Sequence, residues 1–244
     1  FEYRLGLSAT PERFYDQDGT SSIYNFFGGE IFNYSLEQGI KDGFLSNYHY
    51  HPKIVELSAG ELYDYKEITK KINILYHIKK KEHNADELDP LMLRRARILK
   101  KARNKIIKLK EIIDELKHKT DLTYTIIFCE DLQQMSQVAS LLKEMRIYEF
   151  SQITEKETEE QRDIILSNFR EGNIKIVLSI TIFNEGIDVK KAKNAIVISS
   201  TTNPREYIQR RGRVLRKEKG IRKIANIYDL LVIPSLKDEL DDIE

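Results

Sequence analysis

"YTIIFCE", Tyr124 to Glu130, runs directly into "DLQQMSQVASLLKEM", Asp131 to Met145, and the fold turns on this stretch. The first segment is a short apolar run rich in β-branched and aromatic residues, and the second spaces its apolar side chains as a helix does. The same alternation recurs downstream. "YEFSQIT" (148–154) precedes a helix through "EEQRDIILSNFREG" (159–172). "IKIVLSI" (174–180), "NAIVISS" (194–200) and "KIANIYDLLVI" (223–233) follow, with a helix at "PREYIQRRG" (204–212) between the last two. Buried strands alternating with helices predict an α/β fold, a parallel sheet covered on both faces. Right-handed crossovers then line the strand C-termini along one edge, where ligands bind. Loops that carry chemistry are expected after "IFC", "VLSI" and "VISS".

Residues 1–34 are turn-rich and aromatic, with Asp18-Gly19 and Gly28-Gly29 as chain breakers. "SLEQGIKDGF" (35–44) reads as a short helix capped by Ser35, with Gly43 just past its end. "NYHYHPKIVEL" (47–57) alternates as a strand does, broken by Pro52. Two helices are expected at 61–83 and 87–118. In the second, Ile98, Ala102, Ile106, Leu109, Ile113 and Leu116 recur at spacings of three and four and form one apolar face. Between Arg94 and Lys110 its other faces carry lysines and arginines and no acid. Such a run is either a solvated helix surface or a face turned to nucleic acid or another partner.

The 244 residues suffice for two compact units, and a hydrophobic content of 41% supports an ordinary core. The net charge of +1 conceals segregation, because 94–110 is basic whereas 155–163 and the tail "KDELDDIE" lean acidic. No apolar run approaches the roughly 20 residues that span a bilayer, and no secretory segment is read at the start. No membrane partner is expected. "KDEL" at 237–240 is internal and therefore no address. The single cysteine, Cys129, rules out an internal disulfide and fits a reducing compartment: cytoplasmic, or nucleoid or nuclear if the protein is DNA-directed. Phe1 is no translation start, so the sequence is expected to be a piece of something longer.

Three loop segments meet the expectation about the sheet edge. "LGLSATPER" (5–13) ends a strand in Ser8, Ala9 and Thr10, small residues able to bridge domains by hydrogen bonds. "LSITIFNEGIDV" (178–189) carries Ser179 and Thr181 off a strand, then Gly186, which permits close backbone approach, and Asp188, a carboxylate suited to a ribose hydroxyl. "EYIQRRGRVLRKEKG" (206–220) brings Gln209, Gly212, Arg213 and Arg216 to nearly one side of a helix. Only Glu206 and Glu218 oppose its arginines, which indicates an anionic partner outside the chain.

In this order and separation the segments resemble helicase superfamily 2. "LSATP" looks like motif III, "TIIFC" like motif IV, "FNEGID" like motif V and "QRRGRVLR" like motif VI. "FFGGEIFNYSLEQGIKDGFLSNYHY" looks like the connector of the branch that holds repair helicases and restriction-enzyme motors. The resemblance implies the end of a first RecA-like domain with connector at 1–52, a helical connector or insertion at 53–119, and a second RecA-like domain at 120–244. It implies an ATP-dependent DNA helicase or translocase that uses ATP and Mg²⁺, both bound mainly by a missing N-terminal RecA-like domain. Arg213 and Arg216 match arginine fingers, each such finger typically worth ~10³–10⁵ in rate. Gln209 would position phosphate or water, and Arg210 would anchor the loop. Gly186 and Asp188 match the motif V pair that couples nucleotide to nucleic acid; Ser179 or Thr181 would contact a strand, and Ser8, Ala9 and Thr10 would couple the domains. DNA rather than RNA follows from the branch alone. The remaining readings are the motor of a restriction or phage-defence nuclease, and a non-catalytic nucleic-acid-binding module that kept the fold.

Other features depart from the pattern or stay outside it. No Gly-Lys pair occurs, so there is no P-loop, and the sequence as given is expected to lack ATPase activity alone. Lys190-Lys191 stands where a proline often follows motif V. Asp114-Glu115 imitates a Mg²⁺-binding acidic pair, but it follows "SAT" and lies on the amphipathic helix. His49 and His51 share a strand face without further ligands and read as a packed pair. Cys129 reads as an inert core residue, and Tyr207 and Tyr228 as packing residues.

Overall fold

The computed structural model describes residues 3–8, 11–13, 16–79, 88–119, 122–180, 189–199, 212, 214–216 and 223–234. Its elements in order are α1 (Gln17–Phe27), α2 (Leu36–Lys41), β1 (Asn47–Glu56), α3 (Ala59–Lys79), α4 (Leu88–Lys100) and α5 (Asn104–Lys119). β2 (Thr125–Phe128), α6 (Leu132–Glu144), β3 (Phe150–Ile153), α7 (Glu159–Glu171), β4 (Ile176–Ser179), β5 (Asn194–Val197) and β6 (Ile224–Ile233) follow. The strands form one parallel sheet in the order β1-β6-β5-β2-β4-β3. The α/β architecture expected from the alternation is present, a parallel sheet flanked by helices, and it has the form that the resemblance implied for a RecA-like domain.

The two-residue period of the strands divides the core. Ile127, Leu178, Ile196 and Leu230 face α5 and α6, where Leu109, Ile113, Met135 and Leu142 meet them. Ile126, Phe128, Val177 and Ile227 face the other way, against Leu166 and Phe169 of α7 and against Val214 and Leu215. β2 to β3 advances toward an edge and β3 to β4 returns, so right-handed crossovers send α6 and α7 to opposite faces. Truncating one such buried Leu or Ile to Ala costs ~2–5 kcal/mol, so this double-sided core holds the sheet edge rigid.

Three expectations are corrected. Pro52 does not break its strand: β1 runs ten residues through it. Among the described residues β1 is an edge strand paired with β6 alone, and a proline lacking its N–H is tolerated there. β1 thus joins the same sheet as the later strands, and α5 packs on its core. The helix expected over 87–118 is two helices with a break at 101–103. Arg103 N–H donates to the Glu61 carboxylate at 2.9 Å, and Asn104 Nδ2 donates to Glu56 O at 2.9 Å. Those tertiary bonds turn the chain even though the apolar spacing continues. Asp18-Gly19 does not break the chain either: Gly19 N–H donates to Asp16 Oδ1 at 2.7 Å and caps α1. A side chain at Gly19 would collide with that carboxylate. Ser35 caps α2 as expected, and Gly43 follows it at φ 82°.

Candidate functional site

The C-terminal edge of the sheet carries a cleft of about 410 Å³ above β4. It is lined by Asp131, Leu132 and Gln133 at the start of α6, by Thr154, Glu155 and Lys156 after β3, and by Ile180. Parallel crossovers bring the N-termini of α6 and α7 to this edge, each with outward N–H groups and partial positive charge. Both are capped. Asp131 accepts from Gln134 N–H at 2.9 Å, and Thr158 and Gln161 form a reciprocal capping box. Burial alone would raise the Asp131 pKa. Hydrogen bonds from Lys101 and from the N–H groups of Gln134 and Gln133 outweigh it and hold the carboxyl below its usual range. In the β3–α7 loop Glu157 accepts from the Thr154 hydroxyl at 2.7 Å, and Arg162 Nη2 donates to Thr154 O at 3.0 Å. Exposed Lys156 therefore stands on a braced turn.

The break between α4 and α5 grips this edge. Lys100 pairs with Glu130 at 2.9 Å and Lys101 pairs with Asp131, both on the loop after β2. Gln134 Nε2 donates to Lys100 O at 3.3 Å. Lys105 is 1% exposed, and its Nζ donates to Lys100 O at 3.1 Å and to Ile198 O at 2.7 Å, just past β5. Much of the basic run is therefore structural: Lys108 also pairs with Glu111, and Arg95 lies over the Tyr65 ring. Arg94 and Arg97 remain exposed on α4.

On the opposite face, Val214 and Leu215 are fully buried and Arg216 is exposed. Its backbone is fixed from two sides. Leu45 bridges Arg216 antiparallel, and Ser46 donates to Leu215 O through N–H at 2.8 Å and through its hydroxyl at 3.0 Å. Lys223 Nζ donates to Val214 O and Lys190 O at 2.7 Å and to Arg216 O at 2.8 Å. Sequence reading missed Ser46, Lys105 and Lys223. Each acts on backbone carbonyls, for which no side-chain motif exists.

The remaining expected residues fall as follows. Ser179 is 1% exposed, because it is still inside the ladder as the last residue of β4, between Phe128 and Ile153. The next residue, Ile180, lines the cleft. Ser8 is exposed and lines a second cleft with Leu5, Leu7 and Phe27. Ala9, Thr10, Thr181, Gly186, Asp188, Gln209, Arg210 and Arg213 lie outside the described residues, as does Tyr207. Asp114-Glu115 sits on α5, where Glu115 pairs with Lys53 at 3.2 Å. His51 stacks on buried Tyr228 with ring centres 4.7 Å apart. Among the described residues no three His, Cys, Asp or Glu side chains are grouped to hold a metal. Nor is any described helix long and apolar enough to cross a membrane. Cys129 is fully buried, and burial, with the nearby Asp131 charge, pushes its thiol up to about 12.

Residues 104–218 match the family described as helicase conserved C-terminal domain, and the match begins at the first residue of α5. The DNA 3'-5' translocase XPB2 of Sulfurisphaera tokodaii is 29% identical over 233 residues, 88% of this chain and 50% of that protein. The ATP-dependent RNA helicase fal1 of Aspergillus oryzae is 25% identical over 186 residues, 73% of this chain and 44% of that protein. The chain thus spans about half the length of the curated relatives it matches. Among solved structures, a fragment of a putative HsdR subunit of a type I restriction enzyme from Vibrio vulnificus superposes with a TM-score of 0.59. It is 22% identical, with 91% of this chain and 38% of that one covered. The ordered motifs, the parallel sheet and these likenesses agree: residues 104–218 match a helicase conserved C-terminal domain, and the chain is similar to helicases and translocases of superfamily 2.

Proposed function

We propose that this chain is the C-terminal part of an ATP-dependent DNA translocase or helicase, and that it supplies arginines to a nucleotide site completed by another domain. The observation that carries the reading is Arg216: an exposed guanidinium on a backbone fixed by Ser46, Leu45 and Lys223. A finger must be preorganised and yet free to reach a phosphate, and a planar, permanently charged fork suits that role. ATP would supply the phosphoryl group whose developing charge Arg216 and Arg213 offset, with Gln209 and Arg210 beside them. Mg²⁺ is assigned to the other domain on the resemblance alone.

A partner domain is also supported by residues 3–34. Tyr3 and Leu7 are each 89% exposed and Ile31 is 85% exposed, and amphipathic α1 buries none of its residues. Such a surface stays in water only at a cost of ~25 cal/mol per Å², and a preceding RecA-like domain would cover it. The nucleic-acid strand is placed over the β4 cleft, where the helix N-termini and Lys156 meet phosphates. DNA is preferred to RNA because the relative named as a DNA translocase is similar over more of the chain than the one named as an RNA helicase.

The test is ATP hydrolysis by the full-length protein, with and without duplex DNA or RNA, beside Arg216→Ala. DNA-stimulated turnover lost in the variant supports the proposal. Turnover unaffected by Arg216→Ala refutes the finger role, and stimulation by RNA alone refutes the DNA assignment.

A further inference from the structure

Lys223 is the strongest unassigned feature of the molecule. It lies one residue before β6, and its ammonium meets three backbone carbonyls, Lys190 O, Val214 O and Arg216 O, at 2.7–2.8 Å. An ammonium has three N–H donors, enough to serve these three carbonyls, and each bond is charge-assisted. The three acceptors belong to two segments: Lys190 lies in the stretch that precedes β5, and Val214 and Arg216 lie in the arginine-rich sequence. The intervening carbonyl, Leu215 O, is taken from the other side by Ser46. Three consecutive carbonyls are thereby held from two directions, and the Arg216 side chain alone is left outward.

We infer that Lys223 is a positioning residue that ties residues 214–216 to Lys190, ahead of β5, so that Arg216 is presented at a fixed place. The inference rests on the proposed role of Arg216 in ATP hydrolysis. Lysine suits the task because one compact ammonium can converge three carbonyls. Methionine fills the same space and supplies none of the bonds. A displacement of about 1 Å at such a distance from the chemistry costs up to about 10²-fold in rate.

The experiment uses the full-length protein and the variants Lys223→Met, Lys223→Arg, Arg216→Ala and the double variant Lys223→Met/Arg216→Ala. Lys223→Met is expected to lower kcat for DNA-stimulated hydrolysis by about 10–100-fold, with KM for ATP and affinity for DNA moved less than about 3-fold. Lys223→Arg, which keeps charge and donors, is expected to recover part of that loss. The double variant should be no slower than Arg216→Ala alone, because a residue acting only through Arg216 has nothing further to lose. Losses that multiply in the double variant overturn the inference. Amide hydrogen exchange of Lys223→Met gives a readout independent of turnover. Protection is expected to fall together at 189–193 and 214–216 and to persist in α6. Retained protection at either segment, or loss throughout the sheet, overturns the inference. If the unmodified protein hydrolyses no ATP, the motor proposal fails, and the exchange pattern still decides whether Lys223 joins the two segments.

Discussion

Lys105 Nζ lies 2.7 Å from the carbonyl oxygen of Ile198, a buried ammonium from α5 bound where the chain leaves β5. The same ammonium donates to Lys100 O, the last carbonyl of α4, so one charge joins two helices to the sheet edge. Removal has two separable costs. Lys105→Ala leaves a cavity and carbonyls without their donor, and is expected to destabilise by ~3–5 kcal/mol. Lys105→Met fills the space and avoids desolvating a charge, leaving a loss of ~1–3 kcal/mol. Urea unfolding should move the midpoint in that order at constant slope. A methionine variant no more stable than the alanine variant would sink the argument.

Asp131 has two roles, N-cap of α6 and partner of Lys101, and substitutions separate them. Asp131→Ala loses the cap and is expected to cost ~0.5–2 kcal/mol. Asp131→Asn keeps a capping oxygen and loses only a partly exposed pair, worth ~0–1 kcal/mol. The folded-state pKa is held below the unfolded value, so the ionic contribution is full above roughly pH 4. It disappears as pH falls through the lowered folded value. The gap between wild type and Asp131→Asn should therefore close in acid; a gap that widens there would contradict the assignment.

Burial that pushes the Cys129 thiol up to about 12 leaves almost no thiolate at pH 8. Only the thiolate is nucleophilic. Iodoacetamide at pH 8 is expected to leave the native chain unmodified, and to add one group after unfolding in urea, as there is one cysteine. Mass spectrometry reads both. Rapid native labelling would mean that β2 opens far more often than a central strand should.

The central strands were legible because burial on both faces leaves continuous apolar runs such as Ile126 to Cys129. β1 was only half legible. Its partner β6 lies far along the chain, and nothing local says that Pro52 faces an open edge. The break at 101–103 was invisible for a related reason: the apolar spacing passes through it, and the bonds that make it come from Glu56 and Glu61. At the site, the motif drew attention to Arg216, which is exposed on a held backbone. Ser46 was not, because it acts on the carbonyl of a residue 169 positions away. Ser179 was read as leaving its strand and stands on the last rung of β4, because the two look alike in sequence.

The last prediction concerns Lys156, which is exposed at the β4 cleft on a turn where Glu157 and Arg162 hold Thr154. If a strand crosses that cleft, Lys156 neutralises one phosphate and releases its counterion on binding. Affinity of the full-length protein for duplex DNA should then fall linearly with salt on logarithmic axes, and Lys156→Ala should reduce the slope by about 1. The loss should be similar across DNA sequences, because a phosphate contact carries no base information. Glu155→Ala, one residue away on the same loop, removes a like charge to the phosphate and should tighten binding slightly. Fluorescence anisotropy across a salt series reads both variants. An unchanged slope in Lys156→Ala would move the strand off this cleft, and exposed Arg94 and Arg97 on α4 would be the next pair to substitute.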